Sequence, residues 1–175
     1  LDLRRSMTVS SVTVAGRPAT FAQPADLQQE LVITPAAPLA AGKAFTVVVR
    51  YSGVPSPVTD PDGSVDGWVA TEDGAFVVNE PQGSPSWYPC NDTPRDKAGF
   101  DVTVTVPTGL TAIANGVLVD TATADGRTTY RWSQPQPMSK TRPPSRLCSG
   151  SAERDLPRWV PARAPPRRRA RPPGG

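Results

Sequence analysis

Apolar and polar residues alternate with a period of two along most of the first 139 positions, and that period predicts strands. The cleanest case is 100–106 (FDVTVTV), where Phe100, Val102, Val104 and Val106 share one face and Asp101, Thr103 and Thr105 the other. Such alternation marks a half-buried strand of an antiparallel sheet. Residues 7–14 (MTVSSVTV) alternate too, with a slip at Ser10-Ser11 that predicts a bulge. Strands are also predicted at 27–34 (LQQELVIT), 45–52 (FTVVVRYS), 68–70 and 75–78. A meander over 111–114, 117–122 and 127–132 follows 100–106.

Turn residues separate these runs. Ala15-Gly16-Arg17-Pro18, Asp73-Gly74, Asn115-Gly116 and Asp125-Gly126 tolerate the positive φ that tight turns require. Residues 35–43 (PAAPLAAGK) read as a connecting turn, and 53–67 (GVPSPVTDPDGSVDG) as loop by composition. No segment shows a convincing apolar period of 3.6. Eight or nine short strands with regular turns predict an all-β fold, an antiparallel β-sandwich or saddle-like β domain, over 1–139.

At Met138-Ser139 the alternation stops. Residues 140–175 hold eight prolines, and their only β-branched residues are Thr141 and Val160. Such a segment has too little apolar surface to offset the entropy of ordering it, and is expected to be a disordered Arg/Pro-rich tail. It carries ten basic residues against Glu153 and Asp155, a net of +8, whereas the first 139 residues carry a net of −5. The sequence pI of about 9.2 therefore describes the tail. A mildly acidic body is not a nucleic-acid-binding surface. Three readings of the tail stand side by side: a frameshifted read-out of GC-rich codons, an inert appendage, or a basic segment that binds polyanions.

Histidine is absent from all 175 residues. That excludes His-based zinc sites and the Ser-His-Asp and Cys-His arrangements of nucleophilic catalysis. The two cysteines, Cys90 and Cys148, cannot form a four-thiolate zinc site, and are expected as free thiols. No apolar run approaches the ~20 residues that span a bilayer. The first residues lack the apolar core of a signal peptide, so a cytoplasmic location is expected.

The chemistry-bearing stretch is 79–100, NEPQGSPSWYPCNDTPRDKAGF. Its dense Pro, Asn, Asp and Gly content predicts a loop, yet it carries Trp87, Tyr88 and Cys90 together. The string aromatic-Pro-Cys-x-Asp-x-Pro-x-x-Lys-Ala-x-Phe is met at Tyr88, Pro89, Cys90, Asp92, Pro94, Lys97, Ala98 and Phe100. With no gap in the spacing, it resembles the end of the N-terminal β domain of zinc metallo-aminopeptidases of the aminopeptidase N and leukotriene hydrolase type. The flanking strands, over roughly 1–139, look like the same domain in actinobacterial members, truncated at its start.

The resemblance implies a peptide hydrolase whose zinc lies in a second, thermolysin-like domain, held by His-Glu-x-x-His and a later Glu beside a Gly-x-Met-Glu-Asn loop. Neither motif occurs here: Met7 and Met138 are followed by Thr and Ser. No cofactor is therefore expected in this chain, which is expected to be inactive alone. In the family, an acidic or amide residue ten positions before the motif Cys reaches the free α-amine of a peptide; that position here is Glu80. Pro81 would stiffen its loop, and a carboxylate there would pair with an ammonium. Trp87 and Tyr88 would supply packing area, Pro89 and Pro94 would fix the loop, Asp92 would satisfy loop N–H groups and Lys97 could pair with it. Cys90 is expected to be a buried structural thiol. Asn91-Asp92-Thr93 also fits a glycosylation sequon, a pattern that recurs by chance. The expected partners are a catalytic domain and, through it, peptide N-termini. The alternatives are a stand-alone β module that binds through its surface, or a binder of polyanions through the tail, lost on deleting 140–175.

Overall fold

A computed structural model describes residues 1–79 and 82–139, together with the backbone of 145–147. The described chain is all-β, as the alternation predicts, and consists of three antiparallel sheets plus one 3-10 turn. The expected tail, 140–175, lies outside the described residues except for that three-residue backbone.

The first sheet has the order β3-β2-β1-β4. β1 (Met7–Val14) sits at its centre, between β2 (Arg17–Ala22) and β4 (Val47–Gly53). Its register with β4 shifts between Val9 and Ser11, where the slip in alternation predicts the bulge. Because of that extra residue, Met7 and Val9 on one side of the bulge and Val12 and Val14 on the other all reach the core. Ala15 (φ 50°) and Gly16 (φ 79°) form the two-residue turn into β2.

β3 is shorter than the alternation predicts, covering only Val32–Thr34. The preceding residues pair with the start of the chain instead. Leu3 N–H donates to Gln29 O at 2.6 Å, and Leu31 N–H to Leu1 O at 2.7 Å. Leu3 and Leu31 are fully buried, and with Met7, Val9, Val12, Val14 and Tyr51 they form the first core.

The segment 53–67, read as loop, contains β5 (Pro57–Thr59) and the start of β6 (Val65–Thr71). Composition finds the turn but not the strands it joins. Asp60 N–H bonds Ser64 O, Ser64 N–H bonds Asp62 Oδ1 at 2.9 Å, and Gly63 takes φ 85°. β6 continues through a tight turn into β7 (Gly74–Val78). The backbone of β11 (Ser145–Leu147) completes this sheet, in the order β11-β7-β6-β5.

In the third sheet β8 (Ala98–Pro107) and β9 (Val117–Ala124) both pair with β10 (Arg127–Met138), so β10 lies between them. A simple meander would have put β9 in the middle. Residues 111–114 form no strand; they are pinned across the sheet instead. Tyr130 Oη donates to Leu110 O at 3.2 Å and Trp132 Nε1 to Ala112 O at 3.1 Å. The chain is thereby delivered to the far side of β10. Val77, Val104, Val106 and Ala112 form the second core, with Trp68, Trp87 and Tyr130 packed against it.

Candidate functional site

The stretch that carries the unusual residues runs from the end of β7 to the start of β8. Its first anchor is a close crossing of two glycines. A Cβ on Gly83 would press into the Gly67 backbone, and a Cβ on Gly67 would meet Ser86 Oγ. Gly67 also holds φ 83°, which L side chains adopt only under strain. Both positions thus need glycine, and the crossing fixes the loop against β6.

From that crossing Ser84–Ser86 makes one 3-10 turn whose two serines are fully buried. Ser86 Oγ donates to Gly83 O at 2.6 Å, and Trp87 and Tyr88 N–H both reach Ser84 O. A turn this tight throws the next two side chains in different directions. Trp87 packs into the second core, its ring centroid 6.2 Å from that of Trp68. Tyr88 packs against the first. The two rings touch, with centroids 4.5 Å apart and planes tilted by 60°. Consecutive residues therefore rivet the two cores together, and burying two large aromatics outweighs any single polar contact in the loop.

The following residues are held by the start of the chain. Asp2 N–H donates to Cys90 O at 2.7 Å, Cys90 N–H returns a bond to Asp2 O at 3.0 Å, and Asp92 N–H donates to Asp2 Oδ2 at 2.7 Å. Arg4 N–H bonds Pro85 O. Cys90 is half-buried and faces two phenols. Burial, then the neighbouring Tyr88 and Cys90, pushes Tyr51 well above the ordinary phenol range. Tyr88 is pushed up to about 12, chiefly by burial and next by Cys90. Both phenols stay protonated at neutral pH and act as packing and donor groups, not as bases.

Beyond Asp92 the loop closes on itself. Asn91 Nδ2 donates to Asp96 Oδ2 at 2.7 Å, and Thr93 N–H bonds Asn91 O at 2.8 Å. Pro94 and Lys97 are exposed, Pro89 is half-buried, and Phe100 sits half-buried on β8 opposite Gln134. Glu80 and Cys148 lie outside the described residues. Before Glu80, Val78 ends β7, and after it Gln82 Nε2 donates to Asp60 Oδ1 at 3.0 Å.

Sequence reasoning singled out Trp87, Tyr88 and Cys90 but missed Asp2, Tyr51, Gly67, Ser84 and Ser86. Gly83-Ser-Pro-Ser was a legible turn signal. Asp2 gave none, because its partner lies 90 residues away.

Among the described residues no group of three His, Cys, Asp or Glu side chains converges as metal ligands would. No helix is long and apolar enough to cross a membrane among the described residues.

Comparison with known proteins names the fold. The peptidase M1 N-terminal domain family matches residues 1–140. This chain belongs to that family. The M1 zinc metallopeptidase from Deinococcus radiodurans superimposes with a TM-score of 0.73 at 30% identity, covering 79% of this chain and 31% of its own. A variant from the same organism, bound to a Tyr-Ser-Ala substrate, gives the same four values. Aminopeptidase A from Legionella pneumophila, bound to aspartic acid, shares the fold at 19% identity, with a TM-score of 0.66 over 85% of this chain and 17% of its own. No curated protein matches the chain. The chain covers about a third of the length of the Deinococcus chains it resembles.

Proposed function

We propose that this chain acts as the substrate-framing domain of a zinc aminopeptidase, with residues 1–139 as the working domain and 140–175 as an appendage. In this reading Glu80 contributes a carboxylate that pairs with the free α-amine of a peptide. The zinc and the water-activating groups would belong to a catalytic domain outside residues 1–139. One observation carries the reading. The stretch that follows Glu80, from Gln82 to Tyr88, is clamped by the Gly67–Gly83 crossing, the Gln82–Asp60 bond and the Trp87–Tyr88 rivet. A carboxylate that must meet an ammonium in one geometry needs a stiff support beside it. The D. radiodurans relative with a Tyr-Ser-Ala substrate supplies the chemical class, a short peptide with a free amino end.

The test joins residues 1–139 to the remainder of the D. radiodurans metallopeptidase, in place of its matched domain, and follows Tyr-Ser-Ala hydrolysis. The Glu80→Ala chimera should show kcat/KM lower by about 10²-fold, the loss of a charge-assisted pair. Equal kinetics in the chimera and its Glu80→Ala form would refute the role.

A further inference from the structure

β7 is built as an interior strand. All five of its residues, Gly74–Val78, are apolar, and none is exposed. Ala75 and Val77 are buried on one face, and Phe76 is half-buried on the other. Its register with β6 runs unbroken from Gly67↔Val78 to Thr71↔Gly74. It carries no charge, no Pro and no bulge, the devices by which sheets blunt an open edge. The other outer strands of the described sheets each carry one. β3 and β5 are three residues long. β4 holds Arg50, and β8 holds Asp101 with Pro107 at its end. β9 exposes Val117 and Val119, but it has Asp120 and a register shift opposite the Arg131–Trp132 step.

What stands on the outer edge of β7 is the backbone of β11, in antiparallel register Ser145↔Val77, Arg146↔Phe76 and Leu147↔Ala75. The family match ends at residue 140, so this strand lies outside the matched residues. We propose that the outer edge of β7 is a seat for an incoming strand, filled in this chain by Ser145–Leu147, and that once vacated it takes the β7 edge of a second copy. Backbone pairing selects an extended chain more than particular side chains, so a segment that directly follows Pro143 and Pro144 can serve. An uncharged β7 meets no like charge in a self-pair, and an antiparallel self-pair is two-fold and closes at two copies.

Three forms of the full chain test this: the wild type, Arg146→Pro, and Arg154→Pro as a control outside β11. Proline removes an N–H and disfavours pairing within a sheet. Deletion of 145–147 is a second way to vacate the seat without depending on one amide. Hydrogen exchange at the β7 amides and sedimentation velocity are read together. Both vacating variants should exchange the β7 amides that face β11, but not those that face β6, at least about tenfold faster at low concentration. Both should also form a dimer whose share grows with concentration, while Arg154→Pro matches the wild type. Equal β7 exchange in wild type and vacated forms would overturn the proposal. So would a vacated chain that stays monomeric up to about 0.5 mM, or one that assembles beyond a dimer.

Discussion

The Tyr51 hydroxyl donates a 3.0 Å hydrogen bond to the carbonyl oxygen of Trp87. Tyr51 belongs to the first core and Trp87 packs into the second, so this bond crosses the seam between them. Removing the hydroxyl in Tyr51→Phe leaves the ring in place but strips a part-buried carbonyl of that donor. The expected cost is about 1–2 kcal/mol in urea-induced unfolding. Tyr51→Ala also opens a cavity and should cost about 3–5 kcal/mol. If Tyr51→Phe unfolded at the wild-type midpoint, the seam would be held by packing alone.

The same cluster sets an alkaline limit on stability. Tyr51 and Tyr88 both have folded-state pKa values raised above the ordinary phenol value of 10.0, Tyr88 to about 12. A raised acid pKa means the folded chain holds its proton more tightly than the unfolded chain. Stability from these groups is therefore complete below pH 10 and falls as pH rises from 10 towards 12. Thermal midpoints measured from pH 7 to 11.5 should stay level with respect to these groups up to about pH 10 and drop above it. Tyr88→Phe, which has no proton to lose, should show a shallower fall over that window; an unchanged slope would remove Tyr88 from the cause.

Much of this fold was legible because alternation and turn chemistry are local. The bulge at Ser10, the Ala15-Gly16 turn and the face of Val102, Val104 and Val106 all followed from adjacent residues. What was not legible is long-range. Nothing near Leu27 shows that Gln29 and Leu31 will pair with the first residues of the chain. Nothing in 111–114 shows that Trp132 and Tyr130 will pin that stretch across the sheet. The site behaves alike: two neighbouring aromatics marked the loop, but the fact that they enter different cores depends on strands as remote in sequence as β1 and β4.

Gly67 should tolerate no side chain. Gly67→Ala incurs two separate penalties, a residue with Cβ at φ 83° and a collision with Ser86 Oγ. Together these should cost about 2–4 kcal/mol. Ser86→Ala alone loses the 2.6 Å bond to Gly83 O and should cost about 1 kcal/mol. The double variant removes part of the collision, so its cost should fall short of the sum of the singles by about 1 kcal/mol. Strict additivity would show that backbone strain, not contact with Ser86, forbids the side chain.

Asp2 should matter more to the loop than to the sheets. Its backbone exchanges two hydrogen bonds with Cys90, which any residue at that position keeps, while its carboxylate alone receives the Asp92 N–H at 2.7 Å. Asp2→Ala therefore removes one charge-assisted bond and leaves the bridge intact. The expected loss is about 1–2 kcal/mol. Asp2→Asn can still accept through its amide oxygen and should recover roughly half of that. Hydrogen exchange separates the local effect from the global one. The Asp92 amide should exchange faster in Asp2→Ala than in Asp2→Asn, with β1 amides following only the change in global stability. Equal Asp92 exchange in the two variants would mean that the backbone bridge, not the carboxylate, fixes the loop.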